Sequence, residues 1–344
     1  MSGMRIVSAI VPCRNERVHV AAFAASALAQ RLPTEWQLEV IVADGASDDG
    51  TRELLARLAG DDARLRVVAN PERIVSTGLN RALAEARGEV VVRMDVHTTY
   101  AADYVAECLA ALARTGADNV GGPWRAEADG GGGAMQQAIV AAFQSPLVAG
   151  GALSRRLDHE GPVDTVYLGA WPRATFERFG NFDETLVRNQ DDEHNLRITA
   201  GGGHVWQSAR IVSAYRPRAS LGRVFRQYLQ YGYWKPFVMK KHGQAAALRQ
   251  IVPALFVIAV VVVAALAASG TRWPSAALGA AYALVVVAMT AAIARSARPR
   301  LAALWRVPLV IVASHVAYGL GSIAGWIDVA RGARGRARFS TLTR

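Results

Sequence analysis

The residues best equipped for chemistry lie in the stretch VVVRMDVHTTY, from Val90 to Tyr100, where Asp95 and His97 stand one residue apart directly after an apolar run. A carboxylate and an imidazole at that spacing, closing a buried strand, would sit at the carboxyl edge of a sheet, where open α/β folds place their ligands. Two readings stay open: half of a metal-diphosphate site, or a plain strand whose Asp caps the next helix. Two further acidic clusters bear on the choice, Asp44 opening DGASDDGT and the acids Asp191, Asp192 and Glu193 in NQDDEHNLRI. The first can be a turn with a helix cap at Asp49 or Thr51. The second can be dipole decoration at a helix N-terminus, worth about 0.3 to 1 kcal/mol per acid.

A regular alternation positions these groups. Strands are predicted over residues 5–12, 38–43, 66–69 and 89–94, with helices to about residue 32, after residue 51, and over 76–86. Short crossovers of this kind build a parallel sheet covered by helices on both faces. The turn after the first strand reads P-C-R-N-E, not the G-x-G-x-x-G of a dinucleotide-binding domain, which excludes hydride transfer as the leading chemistry. The glycine run at 130–133 follows no strand and is predicted to be a flexible loop. Beyond it, strands are expected over 164–171 and 205–214, with a helix end and Gly turn over 176–184.

The chain has 344 residues, room for one large domain or two ordinary ones. Its 39 Lys and Arg against 28 Asp and Glu give a net charge of +11, suited to nucleic acid or to an anionic membrane surface. Much of the excess flanks apolar runs, at Lys240, Lys241, Arg295, Arg298, Arg300 and Arg334, which favours lipid over nucleic acid. Cys13 and Cys108 lack a C-x-x-C spacing and read as buried thiols in a reducing compartment. The amino terminus reads as a first strand, not a signal peptide.

Taken together, P-x-x-N-E after the first strand, D-G-x-S-x-D-G-T after the second, Asp-x-His after the fourth and an acidic cluster before L-R resemble the inverting family 2 glycosyltransferases, which have a GT-A fold. VRMDVHTTY, NQDDEHNLRI and QYGYWK are most similar to succinoglycan-type glucosyltransferases that act on lipid-linked sugars. The resemblance spans residues 5–240. It implies that Pro12, Arg14, Asn15 and Glu16 line a nucleotide pocket, that Asp44 accepts a hydrogen bond from the base, and that Asp95 with His97 holds a divalent cation beside the diphosphate. Family members commonly have two aspartates in that last motif. The imidazole tilts the choice toward Mn²⁺ over Mg²⁺. An inverting transfer needs a base opposite the leaving group. The family motif, counted back from Arg197 and Glu193, puts that base at Asp191, with Asp192 as the fallback and Gln190 in place of a usual Glu. Trp171 either stacks on an acceptor sugar or belongs to the core.

Residues 216–250 interleave aromatics with Arg and Lys, as interfacial helices do. The resemblance sets Gln230 and Trp234 at the border of the acceptor site. Processive relatives carry Q-x-x-R-W in this region; QYGYW lacks that Arg, which implies single-sugar addition. Residues 251–268 and 274–294 are long enough to cross a membrane. Residues 307–327 either span or re-enter as a hairpin broken at 319–325.

The expected organisation is a GT-A α/β domain over 1–215, interfacial helices over 216–250, a membrane region over 251–330 and a basic tail over 331–344. The expected function is transfer of one hexose, glucose among the candidates, from a UDP-sugar to a polyprenyl-diphosphate-linked saccharide in surface-glycan synthesis. The expected place is the cytoplasmic face of the plasma membrane, next to other glycan-assembly enzymes and without nucleic acid. A polyprenyl-phosphate glycosyltransferase and a non-catalytic membrane scaffold are the alternatives.

Overall fold

The computed structural model describes residues 3–128, 132–217, 219–243, 247–333 and 339. Part of the loop expected at 130–133 and most of the expected basic tail lie outside the described residues. The first elements are β1 (Arg5–Cys13), α1 (Val20–Leu28), β2 (Trp36–Asp44), α2 (Thr51–Asp61), β3 (Leu65–Ala69), α3 (Val75–Glu85) and β4 (Val90–Arg93). Next come β5 (Thr98–Tyr100), α4 (Tyr104–Thr115), β6 (Asn119–Gly122), β7 (Arg125–Ala126), α5 (Ala134–Gln144), β8 (Gly161–Pro162) and β9 (Tyr167–Pro172). α6 (Arg173–Phe179), α7 (Gln190–Ala200), β10 (Val205–Gln207) and β11 (Ser213–Tyr215) follow. The rest is helical: α8 (Leu221–His242), α9 (Val252–Ala268), α10 (Trp273–Ser296), α11 (Leu301–Leu304) and α12 (Val307–Ala330). The chain forms two compact units, Met1–Arg125 with Arg156–Tyr215, and Ala126–Arg155 with Arg216–Arg344.

The first unit is built on an eight-stranded sheet in the order β3-β2-β1-β4-β9-β6-β10-β8. β1 runs parallel to both β2 and β4, and β2 runs parallel to β3. β9 and β8 are antiparallel to their neighbours. Both faces are covered, so the strands are continuous runs of β-branched residues and do not alternate polar with apolar. Val7, Ala9 and Val11 pack toward Phe23, Leu55 and Tyr104, while Ile10, Ile41 and Val91 pack toward Leu79, Leu83 and Trp171. Within the sheet, the carboxylate of Glu39 accepts from Ser8 Oγ at 2.6 Å, from Arg87 N at 2.6 Å and from Arg66 Nη2 at 3.0 Å. Burial alone would raise its pKa; these hydrogen bonds outweigh it and hold the group below the usual carboxylate range.

Two expectations are corrected. The single strand expected over 205–214 is two, because Ser208 donates to Gly121 O at 2.9 Å and the chain then turns, taking β11 into a small second sheet antiparallel to β5. Gly122 permits this: a Cβ there would strike the carbonyl of Ile211. The capping alternative for Asp95 also falls, since β5 and not a helix follows it, and α4 begins only at Tyr104.

In the second unit, prolines set the helix starts: Pro253, Pro274 and Pro308 each stand at the first or second position of α9, α10 and α12, where a missing N–H costs nothing. α12 runs unbroken through Gly319, Gly321 and Gly325, so the broken hairpin does not form. Those glycines instead allow close packing. A Cβ at Gly321 would meet the Leu229 carbonyl of α8, and one at Gly325 the Tyr233 carbonyl. Tyr233 Oη donates to Asp328 Oδ2 at 2.8 Å along the same seam. α10 and the stretch Leu301–Ala330 are long and apolar enough to cross a membrane, whereas α9 has 17 residues.

Two outcomes are expected. Replacing Gly321 by Leu should lower the thermal midpoint of the purified full chain and its folded yield in detergent, because the clash is with backbone. His194 is enclosed by Phe176, Phe182 and Trp171, with Nε2 at 3.0 Å from Gly180 O. Burial, helped by the Arg197 charge, pushes its pKa down to about 4. The unfolded chain takes up that proton near pH 6.5, so stability should fall as pH drops from 6.5 toward 4, by about 3 kcal/mol in total, and be flat above. Unfolding curves at pH 5 and 7 should show this slope in the wild type and lose it in His194→Phe.

Candidate active site

β1 and β2 end level, Cys13 paired with Asp44, and their following loops lock together. Asn15, at φ 53°, donates from its backbone N to Ser47 Oγ at 2.8 Å and from Nδ2 to Asp48 Oδ1 at 2.7 Å, while Asp48 N donates back to Asn15 Oδ1 at 2.9 Å. Asn tolerates this left-handed backbone better than most residues. Glu16 N donates to Thr51 Oγ1 at 2.7 Å, and Thr51 Oγ1 to Asp49 Oδ1 at 2.5 Å. The Asp/Ser/Thr cluster therefore clamps the P-C-R-N-E loop, while the cap of α2 is Gly50, at φ 90° and without a side-chain cap hydrogen bond, in place of the expected Asp49 or Thr51. Asp44 is buried and accepts from Arg52 Nε at 3.2 Å and from Ser47 N. A carboxylate has further lone pairs, so it retains capacity for another donor. Arg14 Nε is buried without a hydrogen-bond partner among the described residues, and Pro12 lies half-buried one residue from the end of β1.

The centre of the site is Arg93, which lies within VRMDVHTTY but to which the sequence alone assigns no role. Arg93 ends β4 with its side chain 8% exposed, and it holds Asp95 with two bonds, Nε to Oδ1 at 3.0 Å and Nη2 to Oδ2 at 3.1 Å. Its Nη1 lies 3.9 Å from Asp191 Oδ2. Burial would lower the pKa of Arg93, but the charges of Asp95 and Asp191 raise it on balance, so the guanidinium stays charged. The turn is braced by Tyr100 Oη, which accepts from Asp95 N at 2.6 Å and donates to Asp95 O at 3.1 Å. Burial, reinforced by the Asp95 charge, raises the phenols of Tyr100 and Tyr167 far above their ordinary range, so both stay neutral donors. An Arg directly after three valines was a readable signal, because a charge carried on a buried strand must be paired.

Asp191 stands in the first turn of α7, its side chain 35% exposed, with Oδ1 accepting from Asp192 N at 3.0 Å. Glu193 is fully buried and bonded to Arg197 at 2.7 Å, which makes it a strut of the helix. Gln190 is buried, and Asp192 is partly exposed beside Asp191. Three expectations change. Trp171 is 1% exposed and packed against Phe176, Phe182 and His194, so it has no open face for a sugar. Trp234 is likewise 1% exposed, packed on Tyr233 and Phe237 of α8, and Gln230 is buried on the same helix. Asp95 and His97 turn to different partners: Arg93 takes both oxygens of Asp95, whereas His97 Nε2 lies 2.7 Å from Glu16 Oε1.

The model of Glycosyl transferase family 2 matches residues 8–170, which include every loop just described except the start of α7. The chain is 33% identical over 258 residues to the succinoglycan biosynthesis protein ExoA of Rhizobium meliloti (strain 1021), covering 71% of this chain and 73% of that protein. The chain belongs to glycosyltransferase family 2. A Methanococcus voltae dolichyl N-acetyl-alpha-D-glucosaminyl phosphate 3-beta-D-2,3-diacetamido-2,3-dideoxy-beta-D-glucuronosyltransferase is 22% identical over 246 residues, 69% of this chain and 75% of that protein. Among solved structures, the mannosyltransferase PcManGT of Pyrobaculum calidifontis, in complex with GDP-Man and Mn²⁺, superposes with a TM-score of 0.58 over 92% of this chain and 88% of that one, at 19% identity. That likeness confirms the GT-A architecture.

In this family 2 glycosyltransferase, Arg93 should matter for turnover as well as for folding. Arg93→Met leaves two carboxylates without their shared cation and should lower turnover by about a hundredfold, equivalent to roughly 3 kcal/mol in the barrier. Arg93→Lys, which keeps the charge without the fork, should recover only part of it. Rates of nucleoside diphosphate release, with tryptophan fluorescence as the check on folding, measure both.

Proposed function

We propose that the enzyme transfers a single hexose, with glucose the first to test, from a UDP-sugar to a polyprenyl-diphosphate-linked saccharide with inversion, in the synthesis of an exopolysaccharide or another surface glycan. The observation that carries this reading is the single guanidinium of Arg93 reaching both Asp95, on the loop after β4, and Asp191, on α7. Two carboxylates on opposite sides of one buried cation suit a reaction with a donor side and an acceptor side. Asp191 takes the proton of the acceptor hydroxyl as its oxygen bonds to the anomeric carbon, and the bond from that carbon to the diphosphate breaks with both electrons leaving on phosphate. Arg14, whose buried Nε has no hydrogen-bond partner among the described residues, is assigned to that phosphate, and Asp44 with Asn15 and Pro12 frames the base and ribose. A divalent cation, Mn²⁺ before Mg²⁺, would supply further charge stabilisation of the leaving group; the residues beside it are Glu16, Asp95 and His97.

The relatives' names support glycan synthesis and a lipid-linked acceptor in general, one belonging to succinoglycan biosynthesis and the other to transfer onto a dolichyl N-acetylglucosaminyl phosphate. The apolar helices support a bilayer. Val261, Leu284 and Val287 are open to the surroundings, and Trp273 and Trp305 stand exposed beside helix starts, as interfacial aromatics do. We assign catalysis to the sheet-bearing unit within residues 1–215, facing the cytoplasm, with 216–250 as interfacial helix, 251–330 in the plasma membrane and 331–344 as a basic tail. Gln190 and Asp192, on either side of Asp191 in the first turn of α7, are the polar residues assigned to the acceptor.

Membranes carrying the full chain, given a series of nucleotide sugars with Mn²⁺, should release UDP and no other nucleotide. Asp191→Asn should abolish release, by about a thousandfold or more, with donor binding retained, while Asp192→Asn costs much less. Release with polyprenyl phosphate but not with a polyprenyl-diphosphate saccharide would move the assignment to a polyprenyl-phosphate glycosyltransferase. Glycan synthesis intact in cells carrying Asp191→Asn would indicate a scaffold.

A further inference from the structure

His97 belongs to a group of three donors that no sequence motif joins. Glu16, His19 and His97 each offer one ligand atom, and the three atoms lie within 4.8 Å of one another. Glu16 Oε1 and His97 Nε2 are already 2.7 Å apart, and the His19 and His97 rings meet edge to face at 4.9 Å. Around a cation with bonds of about 2.1 Å, neighbouring ligand atoms stand about 3 Å apart and opposite ones about 4.2 Å. Small rotations of the exposed His19 and His97 side chains toward the largely buried Glu16 carboxylate bring all three onto one ion.

The backbone under the group is fixed. Glu16 N is held by Thr51, and His19 N donates to Glu16 O at 2.9 Å, a turn that sets residues three apart on the same side just before α1. His97 comes from the other side, between β4 and β5, where Thr98 N donates to Asp95 O at 3.1 Å. β2 lies on one side of β1 and β4 on the other, so the group spans the switch point of the sheet, the place where open α/β folds bind ligands. No hydrogen bond to the His19 ring forms among the described residues, whereas both oxygens of Asp95 are bonded to Arg93.

Resting on the cation invoked under Proposed function, we propose that its protein ligands are Glu16, His19 and His97, a carboxylate and two imidazoles, and that Asp95 is not a ligand but the partner of Arg93. Three protein ligands leave the remaining positions open to water or to diphosphate oxygens. Two nitrogen donors turn the site away from Mg²⁺ and toward Mn²⁺, Co²⁺ and Zn²⁺.

The test is Mn²⁺ binding to the full chain in detergent without any donor, read from the loss of the free-ion electron paramagnetic resonance signal. His19→Ala and Glu16→Gln should each weaken binding by tenfold or more, and Asp95→Asn should leave it within twofold. His19 is exposed, so its removal spares the core, and His19→Asp should restore binding while raising the affinity for Mg²⁺ relative to Mn²⁺. The visible spectrum of bound Co²⁺ should shift in His19→Ala. Unchanged Mn²⁺ binding in His19→Ala, or loss of it in Asp95→Asn alone, overturns the site. Nucleotide release by a wild type whose Mn²⁺ affinity ignores His19 and Glu16 would overturn this assignment and leave the transfer reaction standing. Cation binding through the three residues with no release from any donor would do the reverse.

Discussion

A guanidinium enclosed at the end of β4 cannot remain there uncompensated. Removing one charge from water costs several kcal/mol even after relaxation, and only close opposite charge and well-directed hydrogen bonds return that energy. Arg93 gets both from Asp95, and a longer-range contribution from Asp191. The consequence is geometric as much as electrostatic. The loop after β4 must curl back so that Asp95 faces its own strand, Tyr100 must brace the curl from both its donor and acceptor sides, and α7 must present its first turn to the remaining nitrogen.

The same loop then has to send His97 elsewhere. With Asp95 turned to Arg93, His97 lies beside Glu16, whose loop is clamped to the Asp/Ser/Thr segment after β2. Three loops from three neighbouring strands are thus tied to one another by side-chain hydrogen bonds, and the ties hold backbone that would otherwise be costly: Asn15 and Ala46 both have positive φ. Strain of this kind persists only where surroundings over-determine it, and it concentrates at functional sites.

The second unit follows other rules. α8 and α12 meet through glycines that leave room only for backbone, a packing suited to surroundings where apolar burial alone gives little advantage. Many apolar side chains of α9 and α10, among them Val261, Leu284 and Val287, are exposed instead.

Much of this was legible in the residues. Runs of Val and Ile bounded by loops placed β1 to β4 within two residues at either end, because strands buried on both faces admit little else. The apolar runs at 251–268, 274–294 and 307–327 likewise correspond to α9, α10 and α12 within three residues at either end. Charge and apolar runs favoured lipid over nucleic acid, and four short motifs in order named the family. What the residues could not decide were questions of long-range partnership. Trp171 and Trp234 have the composition of sugar platforms, yet rings of that size fill a core whenever other rings surround them. The strand expected at 205–214 looked continuous and was divided between two sheets by the contact between Ile211 and Gly122, far apart in sequence. Asp95 and His97 stood together as neighbours in the chain, but a turn set by Arg93 and Tyr100 parted them. A sequence records which groups are available; their pairing depends on which charges are buried together, and only the folded chain decides that.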